Sequence, residues 1–353
     1  MLTRVRWLSC TAAVLVVIAG SGQPGTTGSR DDPFQFFSPW VTVSEADRRR
    51  LDGDEVIVRT LPGDGGQLVV FAATRLSAEP SALVTWTRAI ARLKQSRFVR
   101  ALGVFSDPPD LADLADLTLD ERDLEAIREC VPGDCALKLS APEIESLSLA
   151  VADAGTEWRH VLQVEFRRVL VARVNRYRTA GLAGLPPNVN RRSPMRLDDT
   201  FAGVMAASPY LTRLPGVAAW LQGYPDADDR GAESFFYWWK EDYGAGKPVI
   251  GVTHVGIFPA QPGAPSVEVI VTGKQILATR YVNGSLGLTM VLRHPEHDSR
   301  YLVYLNRSQV DLLKGLLSPL RRMVLERRVT RDTPEVVRAL RERLESGAPP
   351  EAM

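Results

Sequence analysis

Three strand-like segments carry side chains able to do chemistry, and strand alternation decides what company each keeps. His254 is spaced evenly with Ile250, Val252 and Phe258, Lys274 with Ile270, Thr272 and Ile276, and Asn306 with Leu302 and Tyr304. Successive strand residues point to opposite faces, so each polar group shares its side with mainly apolar neighbours. If those sides face one hollow, an imidazole, an amine and a carboxamide are the few polar groups of a mostly apolar pocket. The imidazole would then be placed to act as acid or base. The alternative puts the same groups on the far side of the sheet, satisfied by whatever packs there. The run Phe235-Phe236-Tyr237-Trp238-Trp239 adds a second constraint. Tyr237 and Trp239 point one way, Phe236 and Trp238 the other, so both faces of that strand need cover. One aromatic set is expected to line a cavity and the other to pack under neighbouring helices.

Other polar motifs have simpler explanations. Arg307 and Asp311 are spaced to pair, and Ser308 stands where a helix cap would serve the last helix. His294-Pro-Glu-His297 offers two imidazoles in a turn without a third ligand, so no metal is expected. Pro62-Gly63-Asp64-Gly65-Gly66 joins two strands and lacks the terminal Gly-Lys of a phosphate loop. The chain contains no nucleophile elbow, zinc-protease helix or dinucleotide fingerprint, so no cofactor is expected.

The elements that must position these groups lie mostly in the last third. KPVIGVTHVGIF, SVEVIVTGKQILATRY, LGLTMVL and YLVYLNRS have the β-branched and aromatic content of strands, and an Arg-rich helical stretch closes the chain. Near the start, EVIVRTL and QLVVFAATRL flank the Gly-rich turn as a hairpin. A helix follows over 79–96, with Leu83, Trp86, Ile90 and Leu93 at helical spacing. RFVRALGVF predicts a further strand, and from about 107 to 232 the pattern is almost wholly helical. Its clearest member, Glu157 to Arg178, aligns Trp158, Leu162, Phe166, Val169, Leu170, Val174 and Tyr177 on one side. Arg167, Arg168, Arg173, Arg176 and Arg178 give that helix a cationic face, read as solvated but also admitting peripheral membrane contact. Another helix is predicted from Asp198 to Leu221. The fold class is α+β: a curved antiparallel sheet followed by a long C-terminal helix.

Composition narrows the function. With 43 basic and 42 acidic residues the net charge is +1, which removes the electrostatic footprint of a nucleic-acid binder. Arg4 and Arg6 precede the apolar run from Trp7 to Ala19, and small residues follow it. This is the layout of a secretory signal peptide over 1–22, with an uncleaved membrane anchor as the alternative. Residues 23–42 read as a flexible Gly-, Ser-, Thr- and Pro-rich spacer, and 347–353 as a disordered tail. Export leaves Cys130 and Cys135 around Val-Pro-Gly-Asp, a turn that suits a local disulfide in an oxidising compartment.

The order of elements resembles the START-like lipid-transfer superfamily, also called the helix-grip or polyketide-cyclase-like fold. The resemblance rests on the hairpin leading into VFAATRLSAEPSALVTWTRAIARL, the later run of strands, and the ending RRMVLERRVTRDTPEVVRALRERLE. It spans roughly 43–105 and 234–345, inside a domain taken to run from 43 to 346, and departs from the family plan in the helical segment at about 107–232. The resemblance implies a curved antiparallel sheet wrapped around the long C-terminal helix, here with a large helical insertion at about 107–232, and binding of an apolar small molecule or lipid between sheet and last helix. Ligand-binding candidates are Tyr237, Trp239, His254, Lys274, Tyr304 and Asn306. The expected function is an exported, periplasmic or extracellular, binding protein. The alternatives are a cyclase- or hydrolase-type enzyme using His254, or a protein-interaction module whose core is filled by its own side chains.

Overall fold

The computed structural model describes residues 32–228, 231–242, 247–261, 263–315 and 317–349. After a 3-10 turn at Pro33–Phe37 come α1 (Glu45–Asp52), the hairpin β1 (Ile57–Leu61) and β2 (Gln67–Leu76), α2 (Pro80–Arg88), α3 (Ile90–Leu93) and β3 (Val99–Val104). Five helices follow: α4 (Glu121–Arg128), α5 (Ala141–Ala152), α6 (Trp158–Ala180), α7 (Leu197–Ala206) and α8 (Pro215–Gly223). The chain then runs through β4 (Glu233–Glu241), β5 (Val249–Pro259), β6 (Val267–Ala278), β7 (Val282–Arg293) and β8 (Arg300–Val310), and ends in α9 (Ser318–Glu345). The strands form one antiparallel sheet in the order β1-β2-β8-β7-β6-β5-β4-β3, so the first hairpin joins the last strand.

This sheet has two apolar faces, and each is covered by different parts of the chain. On the inner face lie α2, α3 and α9. Leu83 and Trp86 of α2 share a cluster with Leu302, Val291 and Leu344, and Ile90 of α3 packs with Tyr237, Trp239 and Val255. The expected single helix over 79–96 is broken at Ala89, which turns Ile90 and Leu93 toward β4 and β5. Leu325 and Val329 of α9 rest on Leu68 and Val70, and Val337 rests on Ala72. The far end of α9 is tied down by polar contacts. Arg343 donates to the carbonyls of Leu93 and Gln95, both at 2.6 Å, and Trp86 Nε1 donates to the Gly347 carbonyl at 2.7 Å. Gly347 is thus docked, although 347–353 reads as tail in the sequence.

The helices between β3 and β4 lie on the outer face. Phe166, Leu170, Val174 and Tyr177 of α6 pack with Phe236, Trp238, Ile250 and Val252, and the α7 and α8 side chains meet β6 to β8. The helical segment therefore neither roofs nor plugs the grip between sheet and α9. The predicted helix over 198–221 divides into α7 and α8, around a 3-10 turn at Pro209–Arg213 with prolines at 209 and 215. Two buried ion pairs brace this layer. Arg173 of α6 holds Glu143 of α5 through bonds of 2.7 and 2.6 Å, and Arg280 at the end of β6 holds Asp123 of α4 at 2.6 Å. The Cys130–Cys135 disulfide is formed in the loop after α4. Such a short loop contributes roughly 2 kcal/mol on the chain-entropy estimate.

One expectation is corrected. The second half of the spacer read over 23–42 is part of the core: Phe34, Phe36, Phe37 and Val41 are buried on the outer face of the sheet. Arg213 fastens this segment by donating to the carbonyls of Gln35, Phe36 and Ser38 at 2.6, 2.7 and 2.8 Å. Its composition signalled flexibility, but the three phenylalanines supply enough apolar area to outweigh the ordering entropy. The signal segment 1–22 and the first part of the spacer lie outside the described residues. Phe37 is fully buried, edge-on to Phe36 and Phe71. Phe37→Ala should therefore lower the unfolding free energy by about 3–5 kcal/mol in urea titration, whereas an unchanged midpoint would restore the spacer reading.

Candidate functional site

The site is built on the inner face by three rows of paired residues. One row runs Phe235, Val255, Gly273, Gly287, Asn306 and Val70 across the sheet. On one side of it lie Tyr237, Thr253 and Gln275, continued by the pair Ser285 and Ser308. On the other lie Ile257, Val271, Thr289, Tyr304 and Ala72.

Burial differs sharply between the two sides of the same strands. The outward residues Thr272, Lys274, Leu286, Leu288, Met290, Val303 and Leu305 are at most 1% exposed. Their inward neighbours Val271, Gly273, Ser285, Gly287, Thr289, Tyr304, Asn306 and Ser308 all retain partial exposure, although they sit mid-strand in the middle of the sheet. A sheet centre left partly exposed on the side of its closing helix is the candidate ligand-facing surface. Gly273 and Gly287 form its floor. A methyl group on Gly273 would meet only Thr253 Cγ2, at 3.5 Å, and one on Gly287 only Asn306 Nδ2 at 3.5 Å and the Gly273 carbonyl at 3.9 Å. Gly251 serves differently: the Trp239 indole lies against its Cα and would clash with any Cβ at 2.2 Å. That packing, with Trp239 Nε1 donating to Thr253 Oγ1 at 3.0 Å, makes Trp239 a wall of the site.

Polar groups gather at two places on this surface. Asn306 Nδ2 donates to Ser285 Oγ at 3.0 Å, the Ser285 and Ser308 hydroxyls bond at 2.9 Å, and Ser308 Oγ donates to Asn306 Oδ1 at 2.7 Å. This closed ring leaves the second Nδ2–H of Asn306 and several lone pairs directed elsewhere. Lys94, just after α3, supplies the second place. Its side chain keeps 36% exposure, yet burial is the largest influence on its ammonium, a combination expected of a group facing an interior space. Burial alone would lower its pKa. Its interactions with Tyr237, Glu241 and Tyr304 outweigh it and hold Lys94 above the ordinary lysine range. Glu241 lies 3.8 Å away, and the Tyr237 ring centre 5.5 Å away. Lys94 is therefore a cation at neutral pH and not a nucleophilic amine. Burial likewise raises the Tyr304 phenol, which stays protonated and able to donate.

Of the six sequence candidates, Tyr237, Trp239, Tyr304 and Asn306 come together on the inner face. His254 and Lys274 lie on the outer face, fully enclosed by α6, α7 and α8. His254 stacks on Phe236 at 4.4 Å, touches the rings of Tyr224 and Trp220, and bonds the Tyr177 hydroxyl at 3.2 Å. Burial, then the Lys274 charge, pushes its imidazole far below the ordinary range, so it stays neutral. Lys274 donates to the Leu221 carbonyl at 2.7 Å and sits 4.2 Å over the Phe201 ring. Neither reaches the inner surface, which removes His254 from any acid–base role on a ligand there. Arg307 does not pair with Asp311: it donates to Gln67 Oε1 at 2.6 Å, while Asp311 accepts from Lys138 and Asn283. Ser308 is a strand residue of the polar ring and caps nothing. His294 and His297 stack at 4.6 Å in the β7–β8 turn.

Lys94, Glu241, Gln275 and Ser285 were not anticipated. A signal for Ser285 was available in β7, where Ser285, Gly287 and Thr289 alternate with Leu286, Leu288 and Met290: small or polar on one parity, large and apolar on the other. Lys94 reaches the site from a helix end with no pattern to mark it.

Burial brings the Lys274 pKa down to about 7, against 10.5 for an ordinary lysine. Below pH 7 both folded and unfolded chains hold this proton, and the fold bears the whole cost of a buried ammonium. Between 7 and 10.5 the folded chain releases it first, so stability rises with pH. Lys274→Met should stabilise the protein by on the order of 2 kcal/mol at pH 6, and by clearly less at pH 9, in urea unfolding. A variant destabilised equally at both pH values would contradict this account of Lys274.

No protein-family model matches the chain, and no curated protein does. Several solved structures overlap part of it, two of them as follows. TTHA0849 from Thermus thermophilus aligns at 12% identity and TM-score 0.24, covering 42% of this chain and 90% of that one. The Zhui aromatase/cyclase from Streptomyces sp. R1128 aligns at 16% identity and TM-score 0.25, covering 38% of this chain and 83% of that one. Overlaps of this size carry no argument about function.

Proposed function

We propose that this chain is an exported binding protein that holds a mainly apolar small molecule or lipid between the inner sheet face and α9. The observation that carries the reading is the partial exposure of Gly273, Gly287, Thr289, Tyr304 and Asn306 at the middle of the sheet, on the face that α2, α3 and α9 share. The bare glycine floor accepts a ligand body. Val255, Ile257, Val271, Phe235 and Tyr237 supply apolar contact around it, and Asn306 with Ser285 and Ser308 supplies a polar anchor. A module with a side-chain-filled core is disfavoured by the same exposure. Resemblance to the helix-grip superfamily in element order agrees with this reading. The N-terminal apolar run and the disulfide agree with export.

The titratable cluster of Lys94, Glu241 and Tyr304 supports a second reading, a cyclase- or hydrolase-type enzyme on the same frame. In that case Glu241 is the candidate base and Tyr304 or Lys94 the proton donor, in place of His254.

Native mass spectrometry of the purified protein, with organic extraction, tests the binding reading. The wild-type chain should carry a discrete small-molecule mass that denaturation releases. Gly273→Val should fill the floor and lose that mass while keeping or raising stability by about 0.5–1 kcal/mol, because a β-branched residue suits a strand interior better than glycine. A ligand retained by Gly273→Val, or a wild-type protein that is empty after purification from its native host, would overturn it.

A further inference from the structure

The geometry points to the outward face of the first half of α9 as a docking surface for an anionic lipid bilayer. Nine large hydrophobic side chains are exposed among the described residues, and five of them fall within 312–324: Leu312, Leu317, Leu320, Met323 and Val324, at 41% to 58% exposure. Spacings of three and four residues put Leu320, Met323, Val324, Arg327 and Arg331 on one side of the helix. The opposite side, through Leu325 and Val329, is the one that packs on Leu68 and Val70. This stripe is thus not the core-facing face left partly open; it is a second apolar face directed away from the sheet.

Charge identifies the occupant. From Lys314 to Arg331 the chain carries six cations and a single acid, Glu326, in a protein whose net charge is only +1. Glu326 is already engaged by Arg322 at 3.4 Å. Lys314, Arg321 and Arg327 are exposed around the apolar residues, while Arg331 is paired with Asp332 at 2.9 Å. Exposed leucines, a methionine and a valine flanked by arginines on a helix lying against the body suit a surface with apolar depth and anionic headgroups. A second copy of this chain would place the same cations opposite one another. The cationic helix α6, read from sequence as solvated with membrane contact as the alternative, has its apolar side committed to the core.

The full chain should be followed by hydrogen–deuterium exchange with vesicles of phosphatidylcholine, and of phosphatidylcholine with 30% phosphatidylglycerol. Anionic vesicles should protect residues 317–331, phosphatidylcholine vesicles should protect them much less, and 0.5 M salt should reverse most of the effect. Leu320→Ser with Val324→Ser should abolish the protection; both side chains are exposed, so the fold and its thermal midpoint should be unchanged. Arg321→Gln with Arg327→Gln should weaken binding to anionic vesicles about tenfold or more and erase the preference between the two vesicle types. Exchange in 317–331 that is unaffected by anionic vesicles would overturn the proposal. So would protection already complete without lipid, which would mean that another part of the chain, or a second copy, covers the face.

Discussion

Everything in this protein depends on how an eight-stranded open sheet with two apolar faces is covered. A helix-grip arrangement supplies one helix and a short helical pair for the inner face and nothing for the outer. Here the outer face is sealed by the 3-10 segment at 33–37, by α1, and by the five helices between β3 and β4, to the point where β6 to β8 side chains are dry. Most of the apolar burial, at roughly 25 cal/mol per Å², is therefore available from one side alone. The inner face is relieved of that demand, and it can tolerate glycines, serines and an asparagine mid-strand without a core collapsing on them.

The buried charges follow the same division. Glu143 with Arg173 and Asp123 with Arg280 are paired and hydrogen-bonded, and they fix helices to one another and to the sheet. Removing one partner from such a pair is far costlier than the pair's net contribution, because an unpaired buried charge remains. Lys274 is the exception. It has a carbonyl and two aromatic faces around it and, among the described residues, no carboxylate partner, so it is better understood as a tolerated cost in an over-stabilised layer than as part of a site. Lys94 on the inner face is the reverse case, a cation kept charged by Glu241 in a space that solvent enters.

The two long sides of α9 have different tasks. Its far half is fastened through Arg343, Val337 and Leu344, while its first half touches the sheet along one narrow line and turns apolar side chains outward. Several polar bonds tie its far end, through Arg341, Arg343 and Glu345, against that from Arg322 to the Gln67 carbonyl in its first half, so the first half is the part most able to shift.

Element order, the hairpin, the strands from 234 onward, the disulfide and the apolar side of α6 were all legible in the sequence, because periodicity, turn residues and local spacing are properties of contiguous residues. Alternation also separated Tyr237 and Trp239 from Phe236 and Trp238 correctly. What alternation cannot say is which of two faces is inside. His254 and Lys274 have the same spacing relations to their strands as Asn306 has to its own, yet they lie on opposite sides of the sheet, since only cross-strand register relates one strand's parity to another's. The placement of the helical segment, the use of Phe34, Phe36 and Phe37 as core, and the approach of Lys94 to Glu241 join residues far apart in the chain. Sequence determined the pieces and their two-sidedness; tertiary packing decided which side was dry and which stayed partly exposed.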